Sequence, residues 1–165
     1  MIKTTEANRL AADAAAAAST AWISFVEAES VGWHKEQIPF VRFPFIFKNV
    51  GKTPALNVEI TWGFTVVEDG GKRPVYKTCP TTYKQTPGTV YADQPVRSAV
   101  QYPLTETQLV RLMKEFNISI YIHGCIKYAD VFGAQDRLTE IAFIYPAKDK
   151  SGFNFAVDSP YNRMK

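Results

Sequence analysis

Two side chains able to hold a metal or attack a substrate stand two residues apart in this sequence, His123 and Cys125. On an extended strand that spacing points both to one side, a two-point grip suited to a soft metal such as zinc or copper. A structural zinc site usually closes with four ligands, and only His34 and Cys79 remain to supply imidazole or thiol. The ligand count therefore favours reading His123 and Cys125 as polar residues on an outward strand face, with no metal and no cofactor. The spacing of the two cysteines argues neither for nor against a bridge, and their redox state stays open.

Catalytic sets are equally thin. There is no Gly-x-Ser-x-Gly elbow and no cysteine in an activating motif, and two histidines supply a triad poorly. Val50-Gly-Lys-Thr53 looks like the end of a phosphate-binding loop, but the earlier glycine is missing and Pro54 blocks the helix that must follow. Glu27 and Glu29 share a strand face and read as surface carboxylates. The expectation is that the chain is not an enzyme. Aromatic residues are the better lead. Tyr121 falls on the outward side of its strand, and Trp22, Trp33 and Tyr91 have no evident core role. Aromatics on a sheet face stack sugars or anchor protein contacts. The competing expectation is that a second sheet, a helix or the tail covers them.

Positioning these residues requires strands. The hydrophobic fraction is 46% and the aromatic fraction 13%, which excludes disorder and suits strand-rich packing. A net charge of +3 without a clustered Lys/Arg stripe gives no footprint for nucleic acid. No window offers the roughly 20 apolar residues of a membrane-spanning helix. The opening alanine run, interrupted by Asp13, is too weakly apolar for a cleaved signal. Ile118, Ile120, Ile122, Gly124, Ile126 and Tyr128 alternate with Ser119, Tyr121, His123, Cys125 and Lys127, the period of a strand with one face on a core. Asp130 and Gly133 turn the chain into a second apolar strand, Leu138 to Ile144. Leu56 to Val66 alternates in the same way, with Gly63 marking a bulge or a close approach.

Ala21 to Ser30 reads as the first strand and Ile38 to Asn49 as the second. In the latter, Pro44 marks an edge, a bulge or a change of partner. Asp69-Gly-Gly71 predicts a hairpin into a strand over Lys72 to Thr78, and Thr81 to Gly88 reads as a loop. Thr89 to Gln101 holds a further strand. Thr105 caps a helix to Phe116, with Gln108 completing a capping box and Leu104 and Leu109 a staple. Thr4 to Thr20 reads as an Ala-rich helix with a thin apolar stripe. Phe153, Phe155 and Val157 alternate in the tail and suggest an edge strand. About seven strands with one internal helix make an antiparallel β-sandwich. The organisation is a helical lead-in over 1–20, a sandwich over 21–147 and a tail over 148–165.

Asn49, Gly51, Thr53, Pro54 and Ala55, followed late by Gly124, Tyr128, Asp130, Phe132, Gly133 and Thr139, form a pattern that resembles a widespread family of uncharacterised bacterial proteins. The resemblance implies an immunoglobulin-like sandwich preceded by a helical stretch, and relatives often membrane-anchored further upstream. It brings no catalytic residues. Its motifs are turn chemistry and speak to fold more than activity. The disulfide of immunoglobulin domains is not expected, because the second strand carries no cysteine; Trp62 is placed to fill the core instead.

The function expected from these features is a non-enzymatic interaction module that binds a protein partner, with the Ala-rich helix as lead-in or homo-oligomer contact. The alternative is a carbohydrate or small-ligand binding domain that uses Trp22, Trp33, Tyr91 and Tyr121. Nucleic acid is not an expected partner, and this chain's own sequence supplies no membrane attachment.

Overall fold

Alternating phenylalanines set the first layer. In strand β3 (Phe40–Asn49), Val41, Phe43, Phe45 and Phe47 lie on one face and are fully buried. The computed structural model describes residues 20–28, 32–34, 39–76, 78–115, 117–132, 137–145, 156–157 and 163–164. Strands β1 (Ile23–Ala28) and β2 (Gly32–His34) pair in turn with one edge of β3, and β6 (Pro95–Pro103) pairs with the other, all antiparallel. Pro44 falls in the gap where β3 passes from β1, last paired at Phe45, to β2, first paired at Arg42. A residue without an N–H is tolerated there because neither partner strand needs it.

The second layer has the order β8, β7, β4, β5, built from β4 (Ala55–Glu68), β5 (Tyr83–Val90), β7 (Ile118–Asp130) and β8 (Arg137–Tyr145). Two short strands, β9 (Ala156–Val157) and β10 (Arg163–Met164), pair with the outer side of β8. Both short strands lie in the tail; Phe153 and Phe155 lie outside the described residues, as does all of the Ala-rich helix expected over Thr4 to Thr20 except Thr20 itself. All strand pairings are antiparallel. The layers meet through aromatic rings. Phe45 stacks on Trp62 at 4.5 Å and on Phe143 at 4.9 Å, and Phe43 meets Tyr145 edge-on at 5.6 Å. The Trp62 indole N–H donates across the core to Ser98 Oγ at 3.2 Å.

Gly124 lets Trp62 into that core. A Cβ at Gly124 would stand 2.5 Å from Trp62 Cζ3, so only glycine leaves room for the indole. Of the two alternatives expected at Gly63, a bulge or a close approach, the register shift lies elsewhere, around Asn57, which has φ of 52° where the pairing of β4 with both neighbours shifts. That shift explains why Val58, Ile60, Trp62, Phe64 and Val66 join the core while Leu56 does not.

The largest correction concerns residues 69–90. Asp69 and Gly70 do turn the chain, but residues 72–76 form no strand, and β5 is the stretch expected to be a loop. Pro87 and a positive-φ Gly88 misled the pattern. At a sheet edge such residues are accommodated by the register shift between Val58 and Ile60. The capping box holds as expected. Thr105 Oγ1 accepts from Gln108 N at 3.1 Å, and Thr105 N donates to Gln108 Oε1 at 3.0 Å. The helix α1 (Glu106–Val110) is short and widens into a π-helical turn at Arg111–Glu115, with Leu104 and Leu112 buried at the Glu68–Ile118 end of the layers.

Candidate functional site

The outer face of the second sheet holds the one cluster of metal-ligand chemistry found among the described residues. Strand alternation sends His123 and Cys125 of β7 away from the core, as the sequence implies. Antiparallel pairing sets Glu140 of β8 opposite Cys125 and Thr61 of β4 on the other side of it. The expectation that His123 and Cys125 lie on a solvent-facing surface is wrong. His123 is 3% exposed and Cys125 fully buried. The cause is a strap, residues 71–76 and 78–82, which lies across the outer face of the sheet in place of the expected hairpin strand.

Three contacts hold the strap. Cys79 is disulfide-bonded to Cys125, their Cα atoms 5.6 Å apart. The Tyr76 ring stacks on the His123 imidazole, centroids 4.2 Å apart and 20° from parallel. Pro80 seats against Gly63, where a Cβ would come within 2.7 Å of it, so Gly63 serves close approach. Beneath the strap, ligand atoms of His123, Cys125 and Glu140 all lie within 4.8 Å of one another. Burial lowers the His123 pKa below its ordinary value by penalising the imidazolium, and the Glu140 carboxylate partly opposes this. Thr61 Oγ1 is buried beside Cys125 without a hydrogen-bond partner among the described residues.

Of the residues that carry the resemblance, Asn49, Gly51, Tyr128, Asp130 and Thr139 lie together at one end of the two layers and make structural contacts, Gly124 lies mid-strand against Trp62, and Gly133 is outside the described residues. Asn49 is fully buried and uses its whole side chain. Its Oδ1 accepts from Trp22 N at 3.1 Å and Gly51 N at 3.0 Å, while Nδ2 donates to Thr53 O at 2.7 Å and Val90 O at 3.0 Å. Gly51 passes so close to the Thr20 carbonyl and Ala21 Cα that no Cβ fits. The Tyr128 hydroxyl accepts from Ile23 N at 3.3 Å and the Thr139 hydroxyl donates to Ile23 O at 2.8 Å, fastening β1 to the opposite sheet. Asp130 accepts from Phe132 N at 3.0 Å and from the Arg137 guanidinium at 3.3 Å. Every backbone group these side chains meet is one that a turn or strand end would otherwise leave bare.

The four aromatic candidates do not form one platform. Trp22 is half-buried beside Asn49, with the Arg137 guanidinium over its ring at 5.6 Å. Tyr91 is 61% exposed at the same end, next to the Val90 carbonyl that Asn49 holds. Trp33 pairs with Val41 at the opposite end of β3. Tyr121 is half-buried on the outer face of the second sheet, between Thr65 and Ile144.

Sequence reasoning missed a cleft of about 310 Å³ between β5 and β6, lined by Trp62, Tyr83, Lys84, Gln85, Ala99, Val100 and Gln101. It opens where both layers end in edge strands, and no signal could reveal it while β5 was read as a loop. Among the described residues no helix is long and apolar enough to cross a membrane. Compared with known proteins, the chain matches no family model, no curated protein and no solved structure.

Proposed function

We propose that this chain is a non-enzymatic interaction module with an immunoglobulin-like sandwich fold, and that it takes an extended segment of a partner protein along the free edge of β6. The fold reading is supported by strand order. A β1–β3–β6 layer faces a β5–β4–β7–β8 layer, with the chain changing layer between β3 and β4, between β5 and β6, and between β6 and β7. Trp62 supports it too, a strand-borne indole packed at the centre of the core.

The observation that carries the binding reading is the contrast between the two edge strands beside the cleft. β5 is blunted by Pro87, Gly88 and a register shift, as edge strands commonly are. β6 keeps its prolines at its two ends, Pro95 and Pro103, and runs regularly against β3 between them. Its outer side pairs with nothing among the described residues. An incoming strand there gains main-chain hydrogen bonds, and the cleft beside it receives one side chain above Trp62. Lys84, Gln85 and Gln101 give that cleft a polar rim. The partner segment is therefore extended, with one apolar residue flanked by polar ones.

The test is selection from a displayed library of extended peptides, followed by amide-exchange mapping of a selected peptide. Protection should concentrate on Val96 to Tyr102, and Ala99→Tyr, which fills the cleft from an exposed position, should weaken binding more than about tenfold. Protection elsewhere, or indifference to Ala99→Tyr, defeats the proposal.

A further inference from the structure

The buried cluster under the strap has more ligand chemistry than a structural disulfide requires. A disulfide needs two sulfurs, yet here the Cys125 sulfur also lies with an imidazole and a carboxylate, the ligand atoms of the three within 4.8 Å of one another and all three residues buried. We infer that this face is a redox-gated zinc site. While the disulfide is closed the site is shut, and once a dithiol reductant opens it, Cys79, Cys125, His123 and Glu140 hold one Zn²⁺ ion.

The ligand types and number fit. Four side chains, two thiolates, one imidazole and one carboxylate, make a closed tetrahedral set of the kind zinc prefers. The geometry needs little movement. Thiolates bound at about 2.3 Å to a tetrahedral ion stand about 3.8 Å apart, so breaking the S–S bond lets the sulfurs separate to a zinc-bridged distance. The remaining atoms already lie inside the span that such a site contracts from. Tyr76 stacked on the His123 ring fixes the ring plane. Thr61 Oγ1, buried and without a partner among the described residues, adds a hydroxyl beside Cys125 that can support a thiolate.

The chemistry balances in two steps. The dithiol attacks the protein disulfide, passes it two electrons and two protons, and leaves as a cyclic disulfide while Cys79 and Cys125 become thiols. Zinc then binds both sulfurs as thiolates, and the two thiol protons pass to solvent. A small-molecule disulfide reverses this: it takes the two electrons from the sulfurs and two protons from solvent, leaves as two thiols, and the re-formed Cys79–Cys125 bond releases Zn²⁺. Both states tether the strap to β7, once through a covalent bond and once through the metal.

The test uses the full chain, oxidised or reduced and then freed of reductant under anaerobic conditions. Zinc is titrated against a chromophoric chelator, and cobalt is substituted as a spectroscopic probe. Reduced protein should bind one equivalent of zinc and oxidised protein none. The cobalt form should show thiolate charge-transfer bands and the intense visible bands of a tetrahedral site. His123→Asn and Glu140→Gln should each weaken zinc binding more than about tenfold, while their oxidised forms keep the wild-type circular dichroism. If reduction alone loosens the fold, zinc should restore the near-ultraviolet spectrum, and failure to restore it overturns the inference. It is also overturned if the oxidised form binds equally well, if the cobalt spectrum is octahedral, or if tetrahedral binding ignores both His123→Asn and Glu140→Gln.

Discussion

The Asn49 end and the strapped face are both closed by buried polar chemistry, but they are closed by different means. At the Asn49 end one side chain satisfies four backbone groups drawn from three segments, and Tyr128 and Thr139 saturate both backbone atoms of Ile23. Nothing there can change state without leaving a donor or acceptor bare. At the strapped face a covalent bond and a ring stack hold an irregular segment over groups that titrate, ligate and undergo redox exchange. The first region fixes the fold; the second has chemistry to spare.

Three measurements sharpen that contrast, beginning with the largest effect. Asn49→Ala should lower stability by about 4 kcal/mol in denaturant unfolding, since several buried backbone groups lose their partners at once. Asn49→Asp keeps both acceptor roles but turns a buried carboxylate oxygen toward the carbonyls of Thr53 and Val90, and should cost at least as much. A loss below about 1 kcal/mol for either variant would show that the network is not what closes this end. Next, the paired change Cys79→Ser with Cys125→Ser should cost roughly 3 kcal/mol, because a cross-link spanning 46 residues restricts the unfolded chain. Amide exchange should rise in the strap and along the outer side of β7 before it rises at Asn49. If both regions open together, they form one cooperative unit and the contrast fails.

The smallest effect is a pH dependence at His123. Its folded pKa is lowered, chiefly by burial, so between the ordinary value of 6.5 and the folded value the unfolded chain binds more protons. Stability is therefore full above pH 6.5 and declines as pH falls through that window. The separation between the thermal unfolding curves of wild type and His123→Asn should stay constant above pH 6.5 and change, with wild type losing stability, as pH falls through the window; curves that stay parallel throughout would remove His123 from the account.

How much of this was legible follows the same division. The Asn49 end is written in contiguous motifs, and the core faces of β3, β4 and β7 are written in strict alternation, so both could be read directly. Pro44 also declared its role, a change of partner. The strapped face joins segments far apart in sequence, and its key event is that residues 72–76 do not pair. Local pattern cannot show that, because Asp69-Gly-Gly71 looks like a hairpin turn whether or not a strand follows. Parity placed His123 and Cys125 on the correct side of the sheet, but parity says nothing of what lies over a face. Pro87 and Gly88 hid β5 for a related reason: edge strands tolerate residues that central strands reject.

The hydrogen bond from the Trp62 indole to Ser98 joins the two layers through the middle of an otherwise oily interior. Apolar contacts alone tolerate one layer gliding over the other, since a displacement of two residues, about 6.6 Å, brings like faces together again. That shear would carry the indole N–H away from Ser98 Oγ and strand it in hydrocarbon. This central polar clasp, together with the Tyr128 and Thr139 hydrogen bonds to Ile23 at one end, thus sets the alignment of the two sheets, and with it the width of the gap between β5 and β6.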